Sequence, residues 1–203
     1  MLLSLLATAA LAQSTVLALG EGSPADPPAA GDAPAEAADA MPGGWVSVLA
    51  DCLEERQPRR WSVVDRASGD VDGDLAGLRP TVVVLGLGGR DLALPPVDER
   101  ALRTRVERRI RELRGAGPAP GLLIVGPVRV DEAAGPRREA LDRMMAEIAR
   151  HHDGVYHLDP VSEGPLEPGA PALTSDGGLT WQGHARVAAA VCDAILGHWP
   201  ASG

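Results

Sequence analysis

The chain has 203 residues, which is enough for one α/β domain with a full core and short for two. Its formal net charge is −9 and it has no extended basic run, so composition argues against a nucleic-acid partner. An apolar share of 45% is ordinary for a globular protein and excludes a disordered chain.

Residues 1–12 (MLLSLLATAALA) form a short apolar segment that ends in Ala10-Leu11-Ala12. This is the form of a signal-peptide core followed by its small-residue cleavage site, and it is too short to span a bilayer. The segment lacks a positive charge near its start, so a cytoplasmic N-terminal extension is the alternative. We expect a signal peptide, and therefore a periplasmic or secreted protein.

Five apolar runs alternate with helical patterns along the rest of the chain. Several of these runs lack the polar alternation of a half-exposed strand, which is typical of strands buried on both faces of a parallel sheet. The central one, TVVVLGLGGRD, runs into a glycine-rich turn. In chain order, strands are predicted in Ser14 to Ser23, Trp61 to Asp65, Thr81 to Asp91, Leu122 to Val125 and Val155 to Leu158.

Four helices are predicted between and after these strands, because apolar residues recur at helical spacing. The first carries Trp45 to Leu53 and ends before Pro58, and the second is capped by Asp98. The third and fourth cover Arg137 to Arg150 and Trp181 to His198. Residues 24–43, rich in Pro, Ala and Gly, are predicted to be a loop or lid, and residues 68–77 a glycine- and aspartate-rich link.

Strands that alternate with helices predict a three-layer α/β/α sandwich around a parallel sheet. The commonest order for five strands is 2-1-3-4-5, the flavodoxin-like arrangement, in which ligands bind where the order reverses. That point lies between the first and third strands, so residues 20–23 and 88–91 should meet there. We expect one domain, residues 14–199, and a monomer.

Two cysteines, Cys52 and Cys192, are too few for a disulfide scaffold and lack metal-ligand spacing. Both fall on the apolar side of a predicted helix, where they could be small buried hydrophobic residues. The first and last helices of such a sandwich lie side by side on one face of the sheet. A disulfide between these cysteines is therefore the alternative in an oxidising compartment.

Four sequence blocks follow one another in the chain: LALGEGS, VVDRASGD, VVLGLGGRD and SDGGLTWQGHARVA. In this order they resemble the blocks of the SGNH hydrolases, or GDSL lipases and esterases, of the lysophospholipase and arylesterase type. LALGEGS is similar to the family's LxLGDSL, VVDRASGD to VxNxGxSGD, VVLGLGGRD to VxxxLGGND, and SDGGLTWQGHARVA to DGxHLTxxGHxxxA. The resemblance implies carboxylic ester hydrolysis on acyl or lipid substrates. It also implies a Ser nucleophile, a His–Asp base and an oxyanion hole, with no cofactor and no metal.

The residues at the implied catalytic positions differ from those of the family. Gly22 stands at the nucleophile position, Arg90 at the oxyanion Asn position and Gly178 at the His position, whereas Gly69 keeps the backbone donor. The resemblance therefore implies an inactive or weakly active site, since no base remains to activate a hydroxyl.

Neighbouring residues offer an alternative in which the site is active. Ser23 follows the nucleophile position, although Ser23-Pro24 also reads as a helix cap. His184 lies six residues beyond the base position, inside a predicted helix, and Asp176 is displaced by one from the partner acid. We retain Ser23, His184 and Asp176 as candidates for a relocated triad.

A third interpretation is a binding module for an acyl or anionic small molecule. The N–H groups near Gly22 and Gly69, with the Arg90 guanidinium, would make a donor-rich pocket for a carboxylate or phosphate. Arg90 could instead pair with Glu21 or Asp91 and close the cleft. The acidic GDVDGD at 69–74 lacks the spacing of a calcium loop, so no metal site is predicted there.

Overall fold

The computed structural model describes residues 13–20, 44–66, 75–87, 92, 98–115, 119–128, 135–161, 166 and 179–200. The N-terminal segment 1–12, the 24–43 loop and the acidic turn at 69–74 lie outside the described residues.

Within these ranges, five strands and five helices follow one another in the order that the sequence predicts, with one addition. The elements are β1 (Ser14–Gly20), α1 (Gly44–Arg56), β2 (Trp61–Asp65), α2 (Leu75–Leu78), β3 (Val82–Gly86), α3 (Glu99–Gly115), β4 (Gly121–Val125), α4 (Gly135–Arg150), β5 (Val155–Leu158) and α5 (Trp181–His198). The predicted cap of α3 is confirmed, because Asp98 Oδ1 accepts a hydrogen bond from the Ala101 N–H at 2.9 Å.

The strands form one parallel sheet in the order β2-β1-β3-β4-β5, which confirms the predicted flavodoxin-like topology. Val82 and Val84 pack into one core and Val83 and Leu85 into the other, and all four are fully buried or nearly so. Burial on both faces explains why the sequence of β3 shows no polar alternation.

Two helical layers cover the sheet. Leu49 of α1 and Val191 of α5 belong to one core, and Ile110 of α3 and Met145 of α4 belong to the other. Each of the four long helices thus buries one apolar stripe against the strands, as a three-layer sandwich requires.

The structure corrects the prediction for residues 68–77, because the one-turn helix α2 begins inside that predicted link. Leu78 packs against the core shared by α3 and α4. Arg79 then adopts the left-handed conformation with φ of 43°, and Pro80 follows, so the helix ends after a single turn. The segment has too few residues to show a helical period in the sequence.

A disulfide joins Cys52 of α1 to Cys192 of α5, with the two Cα atoms 6.4 Å apart. Of the two alternatives predicted for these cysteines, buried thiols or a disulfide, the structure therefore confirms the disulfide. Arg56 and Asp193 form an ion pair beside it, one helical turn from Cys52 and one residue from Cys192. The first and last helices are thus held together by apolar packing, a covalent bond and a charge pair.

No helix in the described ranges is both long and apolar enough to cross a bilayer.

Candidate functional site

The strands β1, β2 and β3, which lead into the first three sequence blocks, end beside one another. Gly20, the last residue of β1, pairs in register with Gly86 of β3. On the other side of β1, Arg66 follows β2 and donates its N–H to the Ala18 carbonyl at 2.9 Å. Neighbouring parallel strands lie about 4.8 Å apart, so the chain enters these blocks from adjacent points on one sheet edge.

The fourth block leads into α5, whose N-terminus lies at the same edge. Thr180 caps the helix through its side-chain oxygen, which accepts the Gly183 N–H at 3.3 Å. At the other end, the Trp199 indole lies against Gly121, the first residue of β4, so the helix ends at the amino edge of the sheet. Its start is therefore at the carboxyl edge, where ligands bind in open α/β sheets.

Most of the candidate site residues fall outside the described residues. These are Gly22, Ser23, Gly69, Arg90, Asp176 and Gly178. The described strand and helix ends support the predicted location of the cleft, while the roles proposed for those residues stay predictions. His184 is the candidate whose position is described.

His184 lies in the second turn of α5, and its backbone N–H bonds to the Thr180 carbonyl. The side chain is half-buried, and Nδ1 is buried without a hydrogen-bond partner in the described part of the chain. Burial lowers the pKa of His184, because the charged imidazolium is poorly solvated there. A general base normally has its second ring nitrogen held by an acid, and no such contact to His184 is seen among these residues.

A second histidine lies in a polar cluster that the sequence analysis did not find. His157 Nε2 is 3.0 Å from Asp142 Oδ1, and both side chains are largely buried. The two atoms are within ion-pair distance, although neither makes a hydrogen bond of good geometry. Both atoms pack around Gly126, directly after β4, where a Cβ would overlap the Asp142 carboxylate.

The same cluster contains a buried ion pair between Arg138 and Asp159. The guanidinium Nη1 is 3.1 Å from Asp159 Oδ1, each side chain is 7% exposed, and Asp159 also accepts the Val161 N–H. Arg138 and Asp142 lie four residues apart on α4. His157 is on β5, and Asp159, directly after the strand, lies two residues further along. That matched spacing of polar residues on a helix and on a strand is the signal that could have revealed the cluster.

The cluster is separate from the predicted cleft. It lies between α4 and the end of β5, two strands away from β3 and on the sheet face opposite to α5. We assign it a structural role, because Arg138 and Asp159 fix the turn that leaves β5 toward the fourth block.

Sequence comparison identifies the family. The model of the GDSL-like lipase/acylhydrolase family matches residues 20–186, which extend from the end of β1 into α5. The chain belongs to this family. No curated protein matches its sequence.

Solved structures share the fold of this family member at low sequence identity. TesA is 20% identical with a TM-score of 0.62, over 91% of this chain and 99% of that protein. LAE5, an alpha/beta hydrolase enzyme from the metagenome of Lake Arreo in Spain, is 21% identical with a TM-score of 0.62, over 91% and 94%.

A catalytic mutant of Axe2, an acetylxylan esterase from Geobacillus stearothermophilus, is 17% identical with a TM-score of 0.65, over 93% of this chain and 95% of that protein. These similarities confirm the SGNH-type architecture.

Proposed function

We propose that this chain is an SGNH-type domain whose ester-hydrolase site has lost its main catalytic groups, so that it hydrolyses esters weakly or not at all. The observation that carries the proposal is the pair of glycines at the nucleophile and base positions, Gly22 and Gly178. Glycine has no side chain to attack a carbonyl or to accept a proton. Loss of such groups lowers the turnover of an acyl-transfer enzyme by roughly four to six orders of magnitude.

The surroundings of His184 support this proposal. The imidazole sits in a regular turn of α5, and its Nδ1 makes no hydrogen bond within the described ranges. Its lowered pKa means that the ring is neutral at pH 7, as a base must be. A neutral ring without an orienting acid, however, contributes little to activating a hydroxyl such as that of Ser23.

The test compares the parent protein with Ser23→Ala and His184→Ala on p-nitrophenyl acetate and butyrate. We expect all three to hydrolyse these esters at the same rate, close to the rate in buffer. A parent rate well above background that both substitutions abolish would establish the alternative, an active esterase with a relocated triad. Circular dichroism of each variant checks that a loss of rate does not come from unfolding.

A gain-of-function variant tests the same idea from the opposite direction. Gly22→Ser with Gly178→His restores the family's nucleophile and base, and Arg90→Asn restores its oxyanion donor. We expect the triple variant to hydrolyse p-nitrophenyl acetate faster than the parent, with Gly22→Ala and Gly178→Ala as the matched control. Equal rates in both variants would show that these positions are not the catalytic ones.

A second candidate function is binding of a small anion, and the observation that favours it is Arg90 in place of a neutral Asn. A guanidinium beside backbone N–H donors suits a carboxylate or phosphate. A thermal-shift screen with acetate, longer carboxylates and inorganic phosphate should raise the melting temperature of the parent and not of Arg90→Gln. If no anion stabilises the parent, this function is excluded.

We further propose that the protein is exported. The apolar segment 1–12 motivates the proposal, and the Cys52–Cys192 disulfide supports it, because structural disulfides persist mainly in oxidising compartments. Fractionation of cells expressing the full chain should place the protein outside the cytoplasm and shortened at its N-terminus. A full-length product in the cytoplasmic fraction would contradict export.

A further inference from the structure

One face of the sheet carries a positive charge that the rest of the chain does not share. Helices α3 and α4 contain eleven of the nineteen arginines and six of the 28 acidic residues, a formal charge of +5 on 33 residues. The remainder of the chain then carries −14. Helices α1 and α5, on the opposite face, together carry −2. Among the four long helices that the structure describes, the positive charge is therefore concentrated on one face of the sheet.

Five arginines of this face are exposed and point away from the sheet, whereas Arg138 is buried in its ion pair with Asp159. The inner stripes of α3 and α4 are apolar and buried, as Leu102, Ile110 and Leu141 show. The exposed arginines lie on the outer sides of the two helices and are Arg100, Arg108, Arg111, Arg143 and Arg150. An ion pair from Arg103 of α3 to Glu147 of α4 connects the two helices, so their outer sides form one continuous surface, here called the basic face.

The acidic residues on the basic face do not neutralise it. Glu112 lies 3.6 Å from Arg108 and 3.2 Å from Arg109, and the side chains of Arg108 and Glu112 are 64% and 46% exposed. Pairs this exposed contribute little to stability, so a guanidinium can exchange its carboxylate partner for a phosphate. The two helices carry six acidic residues against eleven arginines, so the face keeps a net positive charge.

We propose that the basic face is a docking surface for the anionic headgroups of a lipid membrane. Its shape fits a plane: α3 is about 25 Å long and lies beside α4 at about 10 Å, with arginines distributed along both helices. Guanidinium groups bind phosphate oxygens in a bidentate manner.

The net negative charge of α1 and α5, on the opposite face, favours a membrane over a soluble polyanion. A membrane surface that contacts the basic face is separated from α1 and α5 by the layer of α3 and α4 and by the sheet. That separation exceeds the Debye length of about 8 Å at physiological salt, so repulsion from the far side is screened. A flexible polyanion long enough to extend past the two helices would meet the net negative charge of α1 and α5.

Binding by this face should be electrostatic and reversible. The exposed large hydrophobic residues in the described part of the chain are Tyr156 and Trp181, and neither lies on α3 or α4. Without apolar insertion, the affinity depends on charge and falls as salt rises.

The experiment is vesicle co-sedimentation of the full protein at low and at high salt. Vesicles of phosphatidylcholine with about one-third phosphatidylglycerol should bind the protein, and pure phosphatidylcholine should not. The variant R100Q/R108Q/R143Q should bind roughly 10- to 100-fold more weakly. The control R56Q/R59Q/R66Q removes three exposed arginines away from α3 and α4 and should bind like the parent.

Several results would overturn the proposal. These are equal losses in the two triple variants, equal binding to neutral vesicles, and binding that persists at high salt. Retention on heparin without vesicle binding would assign the face to a soluble polyanion, and a salt-sensitive dimer on gel filtration would assign it to a second copy of this chain. Thermal melts of both variants show whether either has unfolded, and a folded R100Q/R143Q pair replaces the triple if it has.

Discussion

Removing the disulfide should be among the most destabilising changes that this protein can undergo without disturbing its sheet. Cys52 and Cys192 are 140 residues apart, so the bridge closes a loop of about that length in the unfolded chain. The loss of chain entropy on closing such a loop corresponds to about 5 kcal/mol at 25 °C. That is a large part of the total stability of an ordinary domain, about 5–15 kcal/mol.

The double variant Cys52→Ala, Cys192→Ala should therefore unfold at much lower urea than the parent. With a urea dependence of about 2 kcal/mol per molar, a loss of 5 kcal/mol moves the midpoint by about 2.5 M. Substitution is preferable to a reducing agent, because Cys192 is fully buried and would resist reduction in the folded state. Thiol titration of the unfolded, unreduced parent should find no reactive thiol.

The neighbouring ion pair provides the matched control. Arg56 and Asp193 join the same two helices, but their side chains are 47% and 61% exposed, so Arg56→Gln should lose no more than about 1 kcal/mol. A double-cysteine variant that is no less stable than Arg56→Gln would refute the reasoning. It would mean that the unfolded chain gains little freedom when the bridge is removed.

Three further predictions concern single sites. Arg138→Met removes the cation beside the buried Asp159 carboxylate and should reduce the free energy of unfolding by about 3–5 kcal/mol in urea titrations; adding Asp159→Asn should recover part of the loss, and no recovery would contradict the assigned pairing. Gly121→Ala places a methyl group in the Trp199 indole and should lower stability by about 1–3 kcal/mol, whereas an unchanged melting temperature would show that the indole moves aside freely. Burial lowers the pKa of His184. At pH values below about 6.5, the pKa of a histidine in the unfolded chain, the folded protein therefore binds fewer protons than the unfolded chain. The free energy of unfolding should therefore decrease as the pH falls from about 6.5 toward the lowered pKa of His184. His184→Gln should flatten that part of the plot of unfolding free energy against pH, and identical plots for the two proteins would refute the prediction.

Much of the fold could be predicted from the sequence, because the signals for the long elements are physical and local. The bounds of β2, β5 and α5 are those predicted, since apolar runs of four or five residues and a long helical period leave few alternatives. Right-handed crossovers left few arrangements of the strands, and the commonest order for five strands is the one in the structure. The helix Leu75–Leu78 was missed because a single turn has no period.

The contacts between distant residues were harder to predict. The sequence placed Cys52 and Cys192 on neighbouring helices, but whether their Cα atoms come within bonding range depends on how far each helix slides along the sheet. His157 and Asp142 illustrate the same limit, because a histidine in a short strand gives no indication of which carboxylate faces it. Register between a helix and a strand is set by packing of the whole layer.

For the candidate site, the sequence predicted the edge of the sheet and the strand ends that form it. The pairing of Gly20 with Gly86 follows from the strand order, and it brings the first and third blocks to one place. Chemistry at that place depends on side-chain positions within an ångström or so. Family blocks specify which positions to compare, and the glycines at two of them carry the functional proposal.

The bridge between α1 and α5 also determines how the chain responds to being cut. Residues 52 to 192 form a covalent ring, so one peptide-bond cleavage anywhere within it opens the ring and releases no fragment. A protease that nicks the domain once between the cysteines would leave a molecule of unchanged mass apart from one added water, and the separate pieces would appear on a gel only after reduction.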